Sequence, residues 1–258
     1  NDQLLMRLIE FSRRHRSMTA LESLHQFLAS STKRPDWALL VQAEIANLNQ
    51  DREGVYAALL PLLANSKQAL SAQKAQIYFR TAHLLGQYDY LNPAIQLYKD
   101  VLRAYPQDIL TMANLSELHR ARAVSNPTEV NQPDLDQAMD YAQQAYALNP
   151  DSAVAVACYA QRLFETQNYV ETEKLLYAMV EAGTASDRMR ETWMVSVEAV
   201  IRQLEQIGEV YRRQSLCRAL LQVDPGNHLA TTQLVQIRQA QRALAESEAA
   251  EANSPDSE

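Results

Sequence analysis

The sequence predicts an all-α protein built from repeated helix–turn–helix units, and three observations carry that prediction. The first is composition. The 258 residues include only 5 Gly and 9 Pro and are 47% hydrophobic and 21% charged, with Ala, Leu and Gln abundant. Such usage favours helix over sheet and suffices for a sizeable core. The second is a spaced set of large, small and aromatic residues: Tyr78, Thr81, Ala82 and Leu85, then Ala94, Tyr98 and Val101, closed by Pro106. Ala82 and Ala94 lie 12 residues apart, one small residue on each of two helices that must touch. The third is recurrence of the closing proline: Pro106 to Pro150 spans 44 residues, and Pro150 to Pro225 spans 75.

The elements follow in order. A first repeat over 1–34 is read from Leu4, Leu8 and Phe11, then Ala20, Leu24 and Phe27. Leu8 and Ala20 keep the spacing of 12. Leu8 takes the place of a small residue, which predicts a splayed hairpin or a cap, and Thr32 takes the place of the proline. The second repeat, 35–74, has Trp37, Leu40, Val41, Ile45 and Leu48 on one helical face, a turn over Asn49–Glu53, and a second helix over Val55–Ala64 that Pro61 bends. The third, 75–108, is the clearest, with Asn92 as cap and Pro93 in the first turn of its second helix. The fourth, 109–152, combines Met112, Leu115 and Ser116 with Ala138, Ala142 and Ala145, around a polar insertion at Val124–Pro133. The fifth, 153–186, places Val156, Tyr159, Ala160 and Leu163 against Leu175, Leu176 and Met179, and Gly183 closes it. In the sixth, 187–227, the first helix extends to Gln206, Gly208 makes the turn, and Leu216, Leu220 and Pro225 complete the unit. Leu229, Leu234, Val235 and Ile237 mark a capping helix at 228–245. The acidic, small-residue tail at 246–258 is expected to be disordered.

This pattern resembles the tetratricopeptide repeat, whose unit is about 34 residues of helix–turn–helix. On that measure the 44-residue interval is one repeat plus an insertion of 10, and the 75-residue interval two repeats plus 7. The resemblance covers nearly the whole chain and implies a right-handed superhelical solenoid of about six repeats plus a cap over 1–245. It also implies that the first helix of each hairpin lines a concave groove. Residues off the packing stripe of those helices would form a peptide-binding wall: Gln76, Arg80 and His83; Leu110, Asn114 and Glu117; Cys158 and Gln161. Chaperone-binding members of the family grip a terminal carboxylate with two asparagines and several basic residues. Arg80 and Asn114 match two such places, but Gln76 and Cys158 stand where basic residues belong, so the clamp is incomplete. Tyr88 and Tyr90, in a turn, are further contact candidates. Tyr78, Tyr98, Tyr146, Tyr159 and Tyr177 are read as seam residues with the hydroxyl at water.

The resemblance implies a non-catalytic protein–protein interaction scaffold or adaptor, such as an assembly factor. The alternative is a scaffold or substrate-selecting domain within a larger enzyme or a bacterial envelope or secretion machine. Catalytic spacing is missing: there is no Gly-rich phosphate loop, no His-Glu-x-x-His and no Cys-x-x-Cys. The five histidines are dispersed, and Asp134, Asp136 and Asp140 lack the glycine and distant glutamate of a calcium loop. They read instead as acids at a helix N-terminus, and no metal or cofactor is expected. Cys158 and Cys217 are expected to be buried apolar residues.

The net charge is −7, but five acidic residues and no basic one follow Arg242, which leaves −2 for the body. A near-neutral body argues against nucleic acid as partner. Arg13, Arg14, His15 and Arg16 form the one dense basic cluster, either a solvated turn or a contact for an anionic partner. No apolar run approaches the roughly 20 residues needed to span a bilayer. The first residue is Asn1 rather than Met, so a leader or anchor removed from a longer chain fits, and cytoplasm and periplasm both stay open. Low Lys against high Arg and Gln suggests a bacterial source. The apolar first helix, with Leu4, Leu5, Leu8 and Ile9, offers an end hairpin through which two copies could pair.

Overall fold

The computed structural model describes residues 2–31, 33–64, 70–126 and 128–252. Among them all regular structure is α-helical, in thirteen helices. The first six are α1 (Asp2–Arg14), α2 (Met18–Ala29), α3 (Pro35–Leu48), α4 (Arg52–Ala64), α5 (Ala72–Gln87) and α6 (Leu91–Ala104). Then come α7 (Ile109–Ala123), α8 (Gln132–Leu148), α9 (Ala153–Glu165) and α10 (Tyr169–Glu181). The last are α11 (Asp187–Gln206), α12 (Val210–Val223) and α13 (His228–Ala252). The chain divides into two compact units, Asn1–Tyr159 and Ala160–Glu258, with the division inside α9.

In the first unit each helix packs on the next through α8, and alternate helices α1, α3, α5 and α7 also touch in sequence. The contacts depend on small residues. Ala82 of α5 and Ala94 of α6 have no exposed surface, and Tyr98 and Val101 pack beside them. Along α8, Ala138, Ala142 and Ala145 form a fully buried stripe at helical spacing. Ser116 of α7 reaches across it and donates to the Ala138 carbonyl at 2.7 Å. In the second unit Trp193, Val197, Val200 and Ile201 of α11 are buried, as are Leu216, Cys217 and Leu220 of α12.

Most hairpin turns use one device. Arg16, Gln50, Asp89, Gln167 and Gly208 each have φ between 49° and 72° and follow the first helix of a pair. In each, the left-handed residue donates to the carbonyl three residues before it, and the next residue donates to the carbonyl five before itself, a Schellman closure. Gly183 closes α10 in the same way at φ 68°.

Several expectations are corrected. The first hairpin packs through Leu5, Ile9, Ser12, Leu21 and Leu28, while Leu4, Leu8, Phe11, Ala20 and Phe27 are exposed. Apolar pairs at Leu4–Leu5 and Leu8–Ile9 offer two adjacent stripes, and a one-residue shift turns a helix by about 100°. Asn92 does not cap α6: Tyr90 holds that position and Asn92 accepts from Arg122 Nη1 at 2.8 Å. The insertion is shorter than expected, because Gln132 and Pro133 already belong to α8, capped by Asn131. Tyr98 is buried with its hydroxyl rather than leaving it at water, and burial raises its pKa. Tyr88 donates to Asn47 Oδ1 at 2.9 Å, and Tyr90 stacks on Tyr56 at 4.4 Å, so both tyrosines are engaged within the fold. Cys217 is buried but Cys158 only half so. The last helix continues to Ala252, past the end expected for the cap, because alanine and glutamate sustain it. Thr32, Pro127 and 253–258 of the acidic tail lie outside the described residues.

Candidate functional site

A cavity of about 1070 Å³ opens in the first unit between α1, α5, the end of α6 and the start of α7. Its wall is mostly apolar: Met6, Phe79, Val101, Ala104, Tyr105 and Leu110 contribute. Phe79 is held edge-on against Tyr98 at a centroid distance of 5.2 Å. Five of the eight expected groove residues, Gln76, Arg80, His83, Leu110 and Asn114, line this one cavity. Their convergence follows from helical spacing: Gln76, Arg80 and His83 recur every three or four residues on α5, and Leu110 and Asn114 are one turn apart on α7.

The remaining three are placed elsewhere. Glu117 is exposed further along α7 and pairs with Arg120 at 3.3 Å. Cys158 and Gln161 of α9 do not line the cavity, and Gln161 donates to Glu165 at 3.0 Å. Sequence reasoning missed the contribution of α1, where Met6 and Glu10 form a wall one helical turn apart. The corrected register of the first hairpin supplies the signal: with Leu5 and Ile9 turned inward, Met6 and Glu10 face the next side.

Electrostatics set what the cavity can hold. Arg80 donates through Nε to Glu44 Oε1 at 2.5 Å, and Glu44 of α3 is fully buried. Asn47 donates to the other Glu44 oxygen at 3.4 Å, and Tyr88 donates to Asn47, so the acid anchors a chain of partners. The charge of Arg80 is therefore met inside the protein through Nε, while its Nη2 is buried with no hydrogen-bond partner among the described residues. The imidazole of His83 is held below its ordinary pKa by burial first and by the nearby Arg80 and Arg13, against the pull of Glu44. Asn114 donates to the Leu110 carbonyl of its own helix at 2.9 Å, which leaves Oδ1 for a ligand. The site is apolar with a polar edge, rather than an anion trap.

A second polar cluster lies at α7 and α8. Asp134, in the first turn of α8 as expected, is buried and accepts from Arg122 Nε at 2.8 Å. His119 Nδ1 lies 2.7 Å from it. Arg122 and then His119 hold the Asp134 carboxyl below its usual range. The cluster ties α6, α7 and α8 together through Asn92. Among the described residues no three His, Cys, Asp or Glu side chains are gathered so as to hold a metal. No described helix is long and apolar enough to cross a membrane.

No family model matches the sequence, and no curated protein does. Solved structures do match. PilF of Pseudomonas aeruginosa superposes with a TM-score of 0.54 at 15% identity, covering 91% of this chain and 95% of PilF. The human IFIT1 dimer with PPP-AAAA gives 0.53 at 13% identity, covering 96% of this chain and 56% of IFIT1. A thermophilic tetratricopeptide protein of Thermus thermophilus gives 0.45 at 14% identity, covering 80% of this chain and 98% of that one. The fold is thus a helical solenoid of the tetratricopeptide type. At these identities the likeness concerns architecture alone, and the use of the solenoid rests on its own cavity.

Proposed function

We infer that this chain is a non-catalytic protein-interaction scaffold, an adaptor or assembly factor that holds a segment of another protein in the cavity between α1, α5 and α7. The observation that carries this reading is the chemistry of the lining. Met6, Phe79, Val101, Ala104 and Leu110 suit apolar side chains, while Gln76 and Asn114 at the edge suit a peptide backbone. With the Arg80 charge paired to Glu44, recognition rests on apolar anchors and a few hydrogen bonds, for which the buried Arg80 Nη2 is a donor, more than on charge.

The test is partner capture with variants that leave the core alone. Leu110 is 48% exposed and Asn114 half-buried, so Leu110→Glu with Asn114→Ala should keep the helical fold. A protein retained by the native chain and lost by the variant supports the cavity as its site. Equal retention places the interface elsewhere on the solenoid and overturns this reading.

A further inference from the structure

Among the described residues that line the cavity, His83 alone has an ordinary pKa close to neutral pH. It is half-buried on α5, nearly one turn after Arg80, and its surroundings carry mostly the sign that it would take on protonation. Arg80 on its own helix and Arg13 of α1 both act on it. The Nε of Arg13 and the Nη2 of Arg80 are buried without a hydrogen-bond partner among the described residues, so acceptors are already short in this corner.

The acid that acts on the ring is Glu44 of α3, and its two oxygens accept from Arg80 and Asn47. The other acids of the cavity wall are Glu10 of α1, which is exposed, and Asp108, which accepts from the Thr111 hydroxyl at the start of α7. On the other helices packed against α5, Arg52 of α4 lies over the Tyr90 ring, Asp100 of α6 pairs with Arg103, and Glu117 of α7 pairs with Arg120. A protonated His83 would therefore be a third cation beside Arg13 and Arg80, and water in the open cavity would have to solvate it. A segment seated in the cavity displaces that water. Its loss disfavours the charged ring, whereas a neutral imidazole tolerates apolar neighbours.

We propose that His83 gates the cavity: an apolar segment of a partner binds over the neutral imidazole and is released when the ring takes a proton. The gate rests on the reading that this cavity is the partner's site. Segment and proton compete without sharing an atom, because each favours the form of the site that the other disfavours. The sign follows from the ring. Its folded pKa is held below the ordinary value of about 6.5 by burial first and then by Arg80 and Arg13, so the neutral form prevails at pH 7. Binding is complete there and declines as pH falls through the folded value. A single proton limits the loss to about tenfold in affinity per pH unit.

The uncharged apolar fluorophore N-phenyl-1-naphthylamine, titrated onto the full chain, tests the gate. Its dissociation constant is measured from about pH 7 to 5 for the native chain, His83→Gln and Leu110→Glu, with circular dichroism confirming helix at each pH. The native chain should lose affinity as pH falls. His83→Gln, whose side chain does not ionise, should keep one affinity across the range. Saturating probe should also lower the pKa of His83, read from its imidazole resonance by NMR and assigned by the loss of that resonance in His83→Gln. A slope that persists in His83→Gln, or a His83 pKa that bound probe leaves unmoved, overturns the gate and leaves the cavity reading standing. Binding that survives Leu110→Glu unchanged overturns both, as does a native chain that binds no probe, since the cavity then takes no apolar occupant.

Discussion

A buried carboxylate is costly unless a cation meets it, and Glu44 has Arg80. The arginine looked from its position like a ligand-binding group, because a cation on a groove wall invites that reading. Its partner was not legible: Glu44 lies 36 residues earlier, in a helix whose apolar face gave no reason to turn an acid inward. The pairing changes what an alanine substitution reports. Arg80→Ala should cost about 3–5 kcal/mol, since it strands a buried charge. Replacing both members by apolar residues of similar size, Arg80→Met with Glu44→Leu, should be near neutral or stabilising. Denaturant midpoints of the two single variants and the double one measure this. A loss below about 1 kcal/mol for Arg80→Ala would show that water screens the pair and that Arg80 is available to ligands after all.

At the scale of the helical hairpin, the turn is the repeating invention, and only part of it was readable. Gly183 and Gly208 announced left-handed closures, because glycine adopts positive φ without penalty. Arg16, Gln50, Asp89 and Gln167 take the same conformation without that marker, held by the Schellman hydrogen bonds around them. The small-residue seams of the third and fourth repeats were legible because alanine at helical spacing has few other uses. The register of the first hairpin was not, since two adjacent stripes were equally apolar. The turns make a paired prediction. No atom lies within 4 Å of a Cβ built on Gly183, so Gly183→Ala tests backbone strain alone and should lower stability by about 1 kcal/mol. Gln167→Gly removes that strain but loosens the unfolded chain, so it should raise stability by only about 0.5 kcal/mol. Thermal unfolding of both variants checks the opposite signs, and the same sign for both would mean that local contacts, not φ, decide these turns.

Across the whole molecule the two compact units carry ionisable groups that respond to pH in opposite senses. In the first unit, burial lowers the pKa of both His83 and His119. A histidine whose folded pKa is depressed contributes stability that is complete above its unfolded value, about 6.5, and is lost as pH falls below it. Asp134, also lowered, adds a loss in the same direction, but only once pH falls into the ordinary carboxylate range. In the second unit, burial raises Glu173 above its ordinary value, against the pull of Arg212, whose guanidinium lies 3.2 Å away. A carboxyl with a raised folded pKa favours the fold at low pH and loses that contribution as pH rises through the folded value. Acidification from about pH 7 to 5 should therefore weaken the first unit relative to the second, since the histidines titrate first. The sequence supplies the reporters. Its two tryptophans, Trp37 and Trp193, are both buried, one in each unit. With Trp193→Phe the fluorescence of Trp37 follows the first unit, and with Trp37→Phe that of Trp193 follows the second. The midpoint seen by Trp37 should fall on acidification by more than the midpoint seen by Trp193. Each variant is compared with itself at two pH values, so the cost of its own substitution cancels. Parallel shifts at the two tryptophans would show that the units unfold as one and that the buried histidines do not govern the acid side of stability.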